Sequence, residues 1–217
     1  MRTRTTTAAA LLTTATLFLS ACGGSSDGSS DKDVIEGADT STTPSASPTP
    51  TAPADGIDRP RVKLPAGDIM VFDPETTGDS RTNAVLRDNA EYLRAIDEAI
   101  DDQNPKSEAL SFYSKDASYL ASVEWVGGFV KDGNTVTGTV RYFDRKVAFS
   151  KDGSAGLTYC ADESKGFTKD IKTGKVDVTP VSKNSYVFYN ERLRKNKAGV
   201  WQTTMSSSER GSEVCQP

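Results

Sequence analysis

Apolar positions over residues 84–102 recur at three- and four-residue steps. Leu86, Ala90, Leu93, Ile96 and Ile100 form one stripe, with Asp88, Glu91, Arg94, Asp97 and Asp101 elsewhere around the cylinder, the pattern of an amphipathic helix. Asn104-Pro105 ends it, and a second short helix follows through Ala109, Leu110 and Phe112. Asp116 is placed as the N-cap of a third, in which Tyr119, Leu120, Val123, Val126 and Val130 repeat at helical spacing. Gly127-Gly128 weakens that helix by about 1 kcal/mol per glycine, and Asp132-Gly133 closes it with a turn.

From Asn134 onward the period changes to two. Thr135–Phe143, Lys146–Ser150, Ala155–Ala161, Asn184–Leu193 and Val200–Ser207 are rich in Val, Thr, Tyr, Phe and Trp and read as strands. Alternation puts Leu157, Tyr159 and Ala161 on one face with Cys160 on the other, and groups Trp201, Thr203 and Met205. Upstream of the helices, the short apolar run Ile69-Met70-Val71-Phe72 fits a further strand, leaving open whether residues 61–81 pack as a strand or an ordered loop. Helices first and antiparallel strands afterwards, without βαβ alternation, predict an α+β domain over residues 61–217, its helices packed on one side of a strongly curved antiparallel sheet.

The chain before residue 61 follows other rules. Arg2 and Arg4 precede an apolar run from Ala8 to Leu19 that ends in small residues, the layout of an export signal. Its 12 residues, three of them threonines, fall short of the roughly 20 apolar residues that span a bilayer. Leu19-Ser20-Ala21-Cys22 resembles a bacterial lipobox at every position. That resemblance implies cleavage after residue 21 and acylation of the Cys22 sulfur, with localisation at the outer, extracytoplasmic face of the cell membrane; an ordinary secretory peptide that leaves a cysteine first is the alternative. Two or three acyl chains anchor stably where one holds only marginally. Residues 22–60 contain 7 Ser, 5 Thr, 5 Pro and 5 Gly and no aromatic residue, too little apolar surface to offset chain entropy. They read as a disordered tether, on the order of 35 Å long as a flexible coil.

Charge and cysteine content narrow the picture further. The chain carries a net charge of −4 and no histidine. Residues 61–130 hold 13 acidic against 7 basic residues, and residues 131–217 hold 10 against 15. The basic second half is either an anion-binding surface, for lipid head groups or cell-wall polymer, or a solvated sheet layer. No basic-aromatic motif points to nucleic acid. With Cys22 assigned to lipid, Cys160 and Cys215 remain as an even pair in an oxidising space, which favours a disulfide. A reactive thiol is the rival reading, without the histidine that usually activates one.

Chemistry-bearing motifs are scarce. The sequence has no Cys/His cluster for zinc, no phosphate-binding glycine loop and no calcium loop, so no metal and no cofactor is expected. Tyr119, Trp125, Tyr142, Tyr186 and Trp201 are candidates to line a pocket, against the plainer reading of aromatic core.

The order of elements resembles the nuclear transport factor two-like cone, in which helices fill the concave side of a bent sheet. A closer resemblance is to a family of exported actinobacterial lipoproteins. It is carried by Val62-Lys63-Leu64-Pro65 leading to Val71-Phe72-Asp73, Thr77-Gly78-Asp79, Tyr159-Cys160-Ala161-Asp162, Lys172-Thr173-Gly174-Lys175, Gly199-Val200-Trp201 and Gly211-Ser212-Glu213-Val214-Cys215. Cys160 and Cys215 fall on that family's paired-cysteine positions, and Asn134 stands where the family often has an aromatic. The resemblance implies a cone domain without established chemistry. Cone enzymes hold their site inside the cone, and an Asp base with a Tyr donor, as in ketosteroid isomerases, is one of their arrangements. Candidate bases here are Asp162, Glu124 and Asp144, with Tyr119, Tyr142, Tyr159 and Tyr186 as donors. The expected function is therefore a membrane-anchored, non-catalytic module that binds a small apolar ligand or an envelope protein, the alternative being a cone-type isomerase or dehydratase.

Overall fold

Asp79 starts the longest helix by accepting a hydrogen bond from the Thr82 amide at 2.8 Å, so α1 (Ser80–Asp101) begins one polar turn ahead of its apolar stripe. The computed structural model describes residues 55–217. The expected signal segment (1–21), Cys22 and the tether up to residue 54 lie outside the described residues. α2 (Glu108–Tyr113) is capped by Ser107. In α3 (Asp116–Asp132), Asp116 is the first helical residue, not the cap, and takes φ of 55°. The sheet anchors the start of that helix instead, because the Lys115 amide donates to the Thr203 carbonyl at 2.9 Å. α3 meets α1 through small residues: the Tyr92 hydroxyl bonds Ser118 and Ser122 at 2.9 and 2.7 Å. That contact turns Leu120, expected on the buried stripe, out to 68% exposure.

Six strands form one sheet: β1 (Asp68–Phe72), β2 (Asn134–Phe149), β3 (Ala155–Asp170), β4 (Val176–Asp177), β5 (Tyr186–Lys195) and β6 (Trp201–Arg210). The order is β1-β2-β3-β5-β6, with β4 beside the end of β3. Ile69-Met70-Val71-Phe72 is indeed a strand, and it runs parallel to β2 while every other pair is antiparallel. The helices lie on the concave side, their core built from Val85, Leu86, Leu93, Ile100, Leu110, Val126, Leu157, Val187, Leu193 and Trp201.

Curvature comes from bulges, which kink a strand and add twist. The two strands expected at Thr135–Phe143 and Lys146–Ser150 are one, interrupted between Phe143 and Lys146, where Asp144 takes φ of 54°. A second irregularity lies between Thr139 and Arg141, and a third lets β6 gain a residue on β5 between Met205 and Thr203. Gly138 sits at the bend of β2 with φ of 101°, and a β-carbon there would collide with the Lys165 carbonyl oxygen.

Two fastenings hold the margins. Residues 55–60, read as the last of the tether, belong to the domain: Ile57 packs against the core, and Arg59 pairs with the fully buried Asp88 at 3.3 Å. Asp88, read as an outward helix position, also accepts the Trp201 amide at 2.8 Å, which ties the entry segment and α1 to β6. At the other margin Cys160 and Cys215 form a disulfide, with Cα atoms 5.5 Å apart.

Two outcomes follow. Gly138→Ala lowers unfolding stability by at least about 2 kcal/mol in urea titration, because it adds both strain and overlap. Paired Cys160→Ala and Cys215→Ala removes about 4 kcal/mol in the chain-entropy account of a loop this long, read in the same titration.

Candidate functional site

Alternation along β5 turns Val187, Tyr189, Glu191 and Leu193 toward the helices. Glu191 is thereby carried into the core and is only 3% exposed. Two bulges then bring partners to it. The extra residue in β6 lets both Thr203 and Ser206 face β5, with Ser206 directly opposite Glu191. The bulge at Asp144 turns Arg145, an outward position in an unbroken alternation, into the interior at 5% exposure.

The Tyr159 hydroxyl donates to Glu191 Oε1 at 2.9 Å, and Ser206 Oγ donates to the same oxygen at 3.2 Å. Asn89 Nδ2, from α1, donates to Oε2 at 2.8 Å, and Thr203 Oγ1 reaches it at 3.5 Å. Arg145 donates to the Asn89 side-chain oxygen at 3.1 Å and to the Leu86 and Pro74 carbonyls at 2.6 and 3.1 Å. Burial raises the Glu191 carboxyl to about 7, against the lowering effect of its Tyr159, Ser206 and Thr203 hydrogen bonds and of the Arg145 charge. Burial lowers Arg145 to about 10 and drives the Tyr159 phenol well up.

Tyr159 also belongs to an aromatic row across four strands. Phe72 stacks on Tyr142 (centroids 5.0 Å apart), Tyr142 meets Tyr159 edge-on (6.0 Å), and Tyr159 stacks on Tyr189 (5.0 Å). Beside this row, Asp68 of β1 and Asp97 of α1 form a pair of interacting acids. Burial, then the Asp68 charge, pushes Asp97 well above the usual carboxylate range, and burial lifts Asp68 to about 6. The contact between the two acids raises Asp97 and lowers Asp68, whose net rise comes from burial and the Asp101 charge.

No family model and no curated protein matches the chain. Solved structures similar to it include Aln2 from a Streptomyces species, at 19% identity over 68% of this chain and 94% of that one, with a TM-score of 0.41. A ketosteroid isomerase-like protein from Erwinia carotovora atroseptica is similar at 17% identity over 62% and 98%, with a TM-score of 0.39. The intermembrane space region of chloroplast protein ARC6 is similar at 14% identity over 62% and 99%, with a TM-score of 0.37. These likenesses concern the course of the backbone.

The five aromatic residues expected to line one pocket are dispersed. Tyr142 and Trp201 are buried in the core, the latter 6.0 Å from Phe149. Tyr119 is half-buried against the core from α3, and Tyr186 is half-buried at the start of β5. Trp125 alone of the five lines an open groove, of about 530 Å³, where it is 58% exposed beside Glu124, Gly128, Phe129, Asn134 and Thr168. The expected bases are elsewhere too. Asp162 caps the Ser164 amide, Glu124 is exposed on the groove rim, and Asp144 is exposed at its bulge near Lys146. The carboxylate that reaches a buried tyrosine is Glu191. Among the described residues no group of three or more Cys, Asp or Glu is placed to hold a metal ion.

The pH dependence has a fixed sign. Glu191 titrates near 4.5 when unfolded and near 7 when folded, so the folded state holds the extra proton between those values and stability falls as pH rises through that window. Urea unfolding at pH 5 and pH 8 is expected to differ by about 3 kcal/mol or less from this group. Glu191→Gln, neutral throughout, reduces that slope and leaves the part due to Asp68 and Asp97.

Proposed function

We propose that the chain is a lipid-anchored, extracytoplasmic module that binds through the Trp125 groove and does not catalyse a reaction. The observation that carries this reading is the satisfied state of Glu191: four protein donors, Tyr159, Asn89, Ser206 and Thr203, take up its two oxygens. A general base needs a lone pair free for a substrate proton, whereas a carboxylate so enclosed serves as a clasp between α1, β3, β5 and β6. The groove supports binding because its volume lies within the range of small-ligand sites and it presents an exposed indole flanked by small residues. The Cys160–Cys215 disulfide supports an oxidising compartment, and the lipobox at Leu19–Cys22 supports the anchor.

One observation favours a second reading, a cone-type isomerase or dehydratase. A buried carboxyl near 7 lies 2.9 Å from a tyrosine hydroxyl, and Ser206, whose hydroxyl bonds it, is itself exposed. In that reading Glu191 moves a proton at carbon and Tyr159 polarises the neighbouring oxygen of a small carbonyl substrate.

Native mass spectrometry of the chain taken from its own cell envelope separates the readings. A mass that begins at acylated Cys22 and carries a bound small molecule, lost on Trp125→Ala and kept on Glu191→Gln, is the expected result. An unacylated full-length chain contradicts the anchor. Turnover of a carbonyl substrate abolished by Glu191→Gln, in a variant that still folds, establishes the enzyme reading.

A further inference from the structure

The connection between β3 and β5 is an arm without a core of its own. Residues 171–184 are exposed without a break, yet the arm is ordered. β4 pairs with Thr168 and Lys169, the Asp170 amide donates to the Lys175 carbonyl at 2.9 Å, and the Asp170 carboxylate holds the Thr173 amide at 2.7 Å.

Four aliphatic side chains stand on this arm in water: Ile171 at 44% exposure, Val176 at 37%, Val178 at 68% and Val181 at 62%. Lys169, Lys172, Lys175 and Lys183 are interleaved with them. None of these lysines forms an ion pair among the described residues. The arm's two acids are set apart. Asp170 is engaged with Thr173, and Asp177 pairs with Thr168, on the face opposite the one where Val176 adjoins Lys169.

We propose that this arm docks on an anionic phospholipid bilayer. Lysines at a negatively charged surface gain electrostatic energy, and aliphatic side chains between them gain by leaving water at the boundary of head groups and acyl chains. A hydrated polyanion answers the lysines and leaves the valines wet. A second copy of the arm sets lysine against lysine. Of these three occupants, the bilayer alone satisfies both sets of side chains. The inference goes beyond the acyl anchor and does not depend on it, since it concerns which surface of the domain faces the membrane.

The test uses the full chain carrying Cys22→Ser, so that acylation plays no part, with co-sedimentation on phosphatidylglycerol–phosphatidylcholine vesicles and on phosphatidylcholine vesicles. Binding is expected on the anionic vesicles and is expected to weaken as salt rises. Each lysine contributes about fivefold to the partition, so joint reversal of Lys169, Lys172, Lys175 and Lys183 to Glu lowers it by at least about a hundredfold. Val178→Ser with Val181→Ser lowers it about tenfold at constant charge. Residues 1–54 are identical in all these chains apart from the shared Cys22→Ser, so any binding they add cancels in the comparison. Equal partition of parent and lysine-reversed chains overturns the proposal. So does a valine pair without effect, which assigns the lysines to a soluble polyanion, and so does a dimer broken by the same substitutions.

Discussion

A carboxylate placed in the middle of a hydrophobic core is the constraint around which this domain is built. Removing Glu191 from water is costly unless donors replace the lost solvent, and here they come from two strands, β3 and β6, and a helix, α1, far apart in sequence. Tyr159, Thr203, Ser206 and Asn89 converge on two oxygens, and Arg145 braces Asn89 from the far side. Misplacing any of these elements leaves a buried polar atom unpaired. The network therefore specifies how α1 lies across the sheet more sharply than apolar packing alone does.

The backbone irregularities have a common purpose in this light. Unbroken alternation would point Arg145 outward and would keep Thr203 and Ser206 on opposite faces. One extra residue in β2 and one in β6 reverse both outcomes, so the bulges that curve the sheet also assemble the clasp. The margins are fastened independently, by Asp88 bridging the entry segment to β6 and by the disulfide drawing the C-terminal turn onto β3.

Much of this architecture was legible in the sequence. The α1 stripe, the order of helices before strands, and the Cys160–Cys215 pair each follow from local spacing or from cysteine arithmetic. Glu191 was visible in principle: in Val187-Phe188-Tyr189-Asn190-Glu191-Arg192-Leu193 an acid occupies a position whose alternate neighbours are all apolar. Asn89 lies three residues after Leu86, and Asp97, read as a position off the apolar stripe, lies four after Leu93, so helical spacing in fact brings both beside that stripe. What spacing could not reveal was the pair of bulges: the break at Asp144-Arg145 reads as a gap between two strands, and nothing in the order of side-chain types marks Thr204 as an extra residue. The aromatic residues misled for a related reason. Their spacing places them on helices and strands but does not say which face of a bent sheet is filled, and Tyr142 and Trp201 proved to be core while Trp125 was left in solvent.

The clasp depends on Glu191 being enclosed by protein donors and held high by burial. Carbon-13 NMR titration of the glutamate side-chain carboxyls reads this directly. A Glu191 midpoint near 7, moving upward when Tyr159→Phe removes a donor that favours the charged form, is the predicted result. A midpoint near 4.5, unmoved by that substitution, would mean that water reaches the carboxylate and that the clasp does not exist.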